Sequence, residues 1–217
     1  PSGLNNEKHY SSAYDMALAA QACLENETVA EICATRSITI GTRTFVNHNK
    51  LLYRYEGCVG MKTGFTEKAG RTLVSAATRE GQTLICVTLN DGDDWNDHMK
   101  LLDYGFQTYP RQALCRQGEV FGSVAVQGSL IPTMAAVTEE EVGYPLKDGE
   151  GLTMDVALTS CIQAPVEAGQ PLGEAVWKEN GEVVVRVPLV AQSGTGLDVR
   201  EPMAFWGRIK ALLRGTA

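Results

Sequence analysis

The sequence predicts an α+β fold in two parts: an antiparallel sheet covered by helices, followed by a small all-β sandwich. Three observations carry this. Residues 58–90 hold three apolar, β-branched runs broken by glycine-containing turns, as in strands covered on both faces. Helical periodicity flanks that block at 11–24 and 93–106. Beyond Tyr109-Pro110 the pattern changes to short strands between glycine and proline turns. The implied division is 1–109, 110–198 and an amphipathic C-terminal helix over 199–217.

In order along the chain, 11–24 (SSAYDMALAAQACL) reads as a helix. Ser11 or Ser12 caps it, Asp15 complements its dipole, and Met16, Ala17, Ala20 and Leu24 recur at helical spacing. A short second helix is expected over 29–34. The alternating stretch 37–46 reads as a hairpin turning at Gly41, and 47–57 reads as irregular. The central block gives strands at 59–63, 71–79 and 83–89, with a turn over 64–70 and a tight Glu80-Gly81 turn. Residues 93–106 form an acidic-started helix with Trp95, Met99, Leu102 and Phe106 on one stripe. In the second half Asn180-Gly181 is the strongest hairpin turn. A glycine-rich linker, 193–196, precedes a tail whose Met203, Phe205, Trp206, Ile209, Leu212 and Leu213 share one helical side, with Arg208, Lys210 and Arg214 off it.

Composition narrows the function. The 217 residues carry a formal charge of −7, with 44% hydrophobic and 21% charged residues. A sequence pI near 5.0 argues against a basic nucleic-acid face, and the apolar content excludes an acidic disordered tail. No apolar run approaches the ~18 residues of a membrane span. The six cysteines form no Cys-x-x-Cys pair; they allow disulfides in an exported protein, but Cys23, Cys58, Cys86 and Cys161 read rather as small buried hydrophobes. His9, His48 and His98 are scattered without metal-ligand spacing, so no metal or other cofactor is implied. The chain starts at Pro1 with neither Met nor a leader-like stretch, and reads as a processed, cut or engineered piece.

The chemical signal is Lys62-Thr63-Gly64 at a strand end. A strand at a cleft edge can pair with an extended substrate through its backbone. Gly64 lets that substrate approach, Thr63 offers a hydroxyl to a carboxylate, and Lys62 supplies fixed positive charge near that carboxylate and a nucleophile. Alone, such a triplet is equally a solvated lysine before a turn; its surroundings give it weight.

Those surroundings are Pro1-Ser2-Gly3-Leu4, His9-Tyr10-Ser11-Ser12-Ala13, Asn47-His48-Asn49-Lys50-Leu51-Leu52, Gly60-Met61-Lys62-Thr63-Gly64-Phe65-Thr66, Lys68-Ala69-Gly70-Arg71, Trp95-Asn96-Asp97 and Leu101-Leu102-Asp103-Tyr104-Gly105-Phe106. In the second half come Ala164-Pro165-Val166 and Pro188-Leu189-Val190. In this order and spacing, residues 1–213 resemble the C-terminal two thirds of a low-molecular-mass penicillin-binding protein, a serine-type D-alanyl-D-alanine carboxypeptidase. The resemblance implies part of a β-lactamase/transpeptidase-like catalytic domain followed by the family's β domain. It also implies removal of the terminal D-Ala of peptidoglycan stem pentapeptides through a serine acyl-enzyme, inhibition by β-lactam antibiotics, and a place at the outer face of the cytoplasmic membrane, held there by the C-terminal helix.

The family's signatures are Ser-x-x-Lys, Ser-x-Asn and Lys-Thr-Gly. Neither of the first two occurs in this chain. The resemblance places them upstream, so the nucleophile is expected on a companion N-terminal segment and this chain alone is expected to be inactive. Lys62, Thr63 and Gly64 are then the third element, with the Phe65 N–H as an oxyanion donor. His48 stands where well-studied members carry an Arg that holds the substrate carboxylate. Imidazole lacks the permanent charge and bidentate fork of guanidinium, so an ordinary loop histidine is an equal reading of His48. The rival functions are a serine β-lactamase and a non-catalytic cell-wall or membrane-docking module.

Overall fold

The computed structural model describes residue 6 and residues 8–198. The tail expected to form a C-terminal helix lies outside the described residues. The described chain forms two compact units, one running to Arg111 with Pro145–Asp148 added, the other made of Gln112–Tyr144 and 149–198.

The first unit opens with α1 (Ala13–Leu24). Ser12 starts it: its hydroxyl accepts from the Asp15 N–H at 3.1 Å, and the Asp15 carboxylate accepts from the Ser12 N–H at 3.3 Å. That reciprocal pair satisfies two donors that a helix start leaves free. α2 (Glu27–Ala34) begins two residues earlier than the periodicity suggests, because Asn26 caps it through the Val29 N–H. β1 (Ser37–Ile40) and β2 (Arg43–Val46) form the expected hairpin, with Gly41 at φ +62° in its turn. α3 (Leu51–Arg54) falls inside the stretch expected to be irregular. Asn49 begins it by accepting from the Leu51 N–H, and one turn is too short to show a period.

β3 (Cys58–Thr66), β4 (Gly70–Arg79) and β5 (Gln82–Leu89) make a sheet in the order β3-β4-β5, every pair antiparallel. β3 extends beyond its expected end at Thr63, because Gly64, Phe65 and Thr66 pair with Thr72, Arg71 and Gly70. The Thr66 hydroxyl then closes a shorter turn by accepting from the Ala69 N–H. Glu80 and Gly81 both have positive φ (49° and 75°), the geometry of a two-residue hairpin turn. α4 (Asp94–Thr108) packs on one face, over a core of Leu51, Tyr55, Leu73, Ala77, Cys86 and Leu102. The other face holds Ala20, Met61, Val74 and Ala76 against α1 and α2. Fully buried side chains such as Leu73 and Leu102 each contribute about 2–3 kcal/mol.

In the second unit β7 (Val120–Gln127), β8 (Thr133–Val137), β10 (Thr153–Leu158), β11 (Cys161–Gln163), β12 (Pro171–Glu179) and β13 (Glu182–Ala191) form one sheet, ordered β10-β12-β13-β8-β7-β11. β6 (Arg111–Cys115) and β9 (Val142–Pro145) form a two-stranded sheet. Cys115, Leu114 and Val142 pack on the same core as Val124, Trp177 and Leu189, giving two β layers. The β7–β11 pair is parallel, a departure from the all-antiparallel expectation that the short Cys161–Gln163 run gave no sign of. Asn180 and Gly181 turn β12 into β13 with φ of 50° and 88°. Residues 193–196 are no free linker: Thr195 exchanges two backbone hydrogen bonds with Val166, and its hydroxyl meets that of Ser129 at 2.7 Å. All six cysteines are free thiols. Cys86 is buried, as is Cys115, but Cys23, Cys58 and Cys161 are only half-buried, because they border core clusters instead of sitting inside them.

Candidate active site

β3 is an edge strand: among the described residues only β4 pairs with it. In an antiparallel pair alternate residues turn their N–H and C=O groups away from the partner, so the free side of β3 offers a ladder to an added strand. Side chains alternate between faces as well. Lys62, Gly64 and Thr66 lie on the same face as Thr72 and Val74, their neighbours in register. On that face runs a groove of about 490 Å³. Residues 62–66 and Thr72 floor it, His9, Tyr10 and Met16 form the facing wall, and Leu89 and Asn90 close one end.

Lys62 is exposed, and its ammonium donates to the Thr63 carbonyl. That acceptor is neutral, so the contact orients the side chain without cancelling its charge. Thr63 is half-buried beside it, and Phe65 stands 71% exposed at the groove rim. Gly64 has a steric reason to lack a side chain: a Cβ there would strike the Thr72 hydroxyl. Lys62, Thr63, Gly64 and Phe65 therefore meet on one groove. His48 does not line it; it is exposed in the bend before α3, between Asn47, which donates to the Cys33 and Thr35 carbonyls, and the buried Asn49. His9 and Tyr10 were not foreseen as groove residues, and no sequence signal separated them from any segment preceding a helix.

Beneath the triplet, α4 reaches the sheet through polar contacts. Asp94 pairs with Arg71 at 2.6 Å, and the Arg71 guanidinium also lies 5.5 Å from the Trp95 ring centroid. His98 is fully buried, with Nδ1 2.6 Å from the Ser75 hydroxyl and Nε2 3.0 Å from that of Thr88. Burial lowers its pKa to about 4, although Asp94, Asp91 and Asp97 pull the other way. The imidazole is thus neutral at pH 7, one nitrogen donating and the other accepting. Farther along, Arg79 stacks on Tyr55 and Phe106, and Tyr55 donates to Asp103 at 2.6 Å, which with burial raises the phenol pKa.

Comparison with known proteins settles the family. Residues 1–93 match the family model for D-alanyl-D-alanine carboxypeptidase, peptidase family S11, and residues 109–195 match that for the C-terminal domain of penicillin-binding protein 5. The chain belongs to the D-alanyl-D-alanine carboxypeptidase family. Among curated relatives it is 29% identical to D-alanyl-D-alanine carboxypeptidase DacF of Bacillus subtilis, over 97% of this chain and 58% of that protein. It is likewise 29% identical to DacA of Escherichia coli, over 87% of this chain and 49% of the relative. A peptidoglycan synthesis regulatory factor (PBP3) from Streptococcus pneumoniae superposes with a TM-score of 0.74 at 25% identity, covering 90% of this chain and 60% of the other. Penicillin-binding protein 5 from Haemophilus influenzae gives 0.58 at 24% identity, a likeness of fold, over 89% and 59%. The chain spans about half the length of the curated relatives it matches. The expected α+β catalytic portion with a β domain after it is borne out.

Proposed function

We propose that this chain carries the Lys-Thr-Gly wall of a serine D-alanyl-D-alanine carboxypeptidase, with the nucleophile supplied by residues outside the 217. The observation that carries the reading is the free edge of β3 beside the groove, with the uncancelled Lys62 ammonium on its floor. An extended stem peptide adds to that edge as a strand. Lys62 and the Thr63 hydroxyl hold its terminal carboxylate. A serine oxygen then attacks the penultimate D-Ala carbonyl, and the Phe65 N–H helps bear the resulting oxyanion. Collapse expels D-Ala, and water frees the acyl-serine. A β-lactam presents a carboxylate and a strained carbonyl to the same groups. His48, away from the groove lining, takes part only if a segment outside this chain completes the site around it.

The reaction belongs to the cell envelope, outside the cytoplasmic membrane. Among the described residues no helix is long and apolar enough to cross a membrane. The amphipathic, basic sequence of 203–214 supports surface attachment, and binding of the chain to anionic vesicles, lost when 199–217 are removed, checks it.

The activity test joins the Ser-x-x-Lys-bearing portion of a relative to this chain and measures D-Ala release from a pentapeptide ending in D-Ala-D-Ala. The hybrid is expected to release D-Ala, the 217-residue chain alone is not, and Lys62→Ala in the hybrid lowers kcat/KM by about 10²–10³. Rapid hydrolysis of nitrocefin without D-Ala release would instead favour a β-lactamase. A folded hybrid inert to both substrates would favour a non-catalytic wall module.

A further inference from the structure

We infer that Asp94 and His98, one turn apart on α4, are positioning residues for the Lys62-Thr63-Gly64 triplet: they fasten the two strands behind it at the levels that bracket it. The inference rests on the reading of the triplet as a substrate wall, and it concerns residues that touch no substrate.

The register supplies the argument. Arg71, held by Asp94, lies across from Phe65, and Ser75, held by His98, lies across from Met61. The triplet is what stands between those two points. Thr88, the other partner of His98, pairs with Leu73, which pairs with Thr63. One imidazole therefore ties β4 and β5 together at the level of the triplet's middle residue. Helices usually cover sheets with apolar contacts, which set distance but tolerate sliding. Here a histidine, a serine and an aspartate are buried beneath the site, at 0%, 0% and 3% exposure. Such groups are costly to bury unless bonded, and their bonds are directional. A strand that slips by one residue turns all its side chains over, so fixed register on β4 decides which face of β3 Lys62 occupies.

The imidazole must be neutral to fit this role unstrained. The charged and titratable groups around it are Asp94 and Asp97 on α4, Asp91 in the β5–α4 turn, Arg71 on β4 through Asp94, and the Cys86 thiol on β5 across from Ser75.

The test uses the full 217-residue chain, without ligand, and measures amide hydrogen exchange by NMR, with the β12–β13 amides as internal reference. In His98→Leu at pH 7, exchange at 61–65 is expected to rise about tenfold, the loss of roughly one net hydrogen bond, while the ends of β4 and β5 near the Glu80-Gly81 turn change less than threefold. His98→Gln, which keeps a donor and an acceptor, restores protection. In the native chain the same rise sets in as pH falls toward 4 and is absent from His98→Gln. If His98→Leu does not fold, Thr88→Val decides, with the rise confined to Thr63 and Leu73. A uniform rise over all three strands, no rise, or an acid step that persists in His98→Gln overturns the proposal. Because no peptide or penicillin is present, the result is independent of whether the hybrid enzyme turns over.

Discussion

Gly64 offers the sharpest test of how the triplet is built, through Gly64→Ala and a compensating change at Thr72. A methyl group at residue 64 overlaps the Thr72 hydroxyl, while the next nearest atoms, the Thr72 Cβ and carbonyl oxygen, lie at 3.8 and 3.9 Å, ordinary contact distances. The strain is thus owed to one oxygen atom. Two effects oppose each other. Replacing glycine where φ is not left-handed stabilises by about 0.4–1 kcal/mol through the unfolded chain. Overpacking costs about 1–3 kcal/mol. Gly64→Ala alone should therefore destabilise the first unit by about 1–2 kcal/mol. In a Thr72→Ala background the overlap disappears, and the same substitution should be neutral or stabilising by up to about 1 kcal/mol. The double-mutant cycle should show a coupling of about 1–3 kcal/mol. Native-state amide exchange of β4 and β5 measures it for the first unit alone, which whole-chain melting of two units cannot do. Equal costs in both backgrounds would refute the reasoning, since the strain would then lie outside the Thr72 hydroxyl.

Three further outcomes follow from buried groups elsewhere. His98 has a folded pKa near 4, below its unfolded value of 6.5, so its contribution is full above pH 6.5 and is lost as pH falls toward 4. The loss amounts to about 3 kcal/mol, and urea unfolding of the first unit against pH should flatten in His98→Gln. The Cys86 thiol is buried, and its pKa is pushed up to about 12, chiefly by that burial. Iodoacetamide at pH 8 should leave Cys86 unmodified in the folded chain, as peptide mass mapping would reveal. Gly173 pairs with Leu158, and a Cβ there would strike the Ala157 carbonyl and come within 2.9 Å of the Leu158 Cα. Both are backbone and cannot swing away, so Gly173→Ala should cost about 2 kcal/mol or more and raise exchange along β10 and β12.

The sequence made the sheet, its flanking helices and the Lys62 triplet legible because each leaves a local trace: apolar runs, helical spacing, turn residues. What it hid was non-local. Thr66 closes the β3–β4 turn later than the glycines suggest, because the pairing of Phe65 with Arg71 outweighs the turn preference of Gly64. Residues 193–196 look like a linker by composition, yet Val166, far away in the chain, fixes them. His98 could be placed on a helix, but only the fold shows Ser75 and Thr88 at its two nitrogens. His48 is the reverse case. A family position suggested a role, but the groove that the described residues form leaves it outside.

The account rests on β3 being one wall of a site whose attacking oxygen comes from elsewhere. The direct measurement is the site of penicillin attachment in the hybrid, read by mass spectrometry of its proteolytic fragments. The account predicts one adduct, on the serine of the joined Ser-x-x-Lys segment, strongly reduced in rate by Lys62→Ala. An adduct on a serine of this chain, or attachment at an unchanged rate without Lys62, would contradict it.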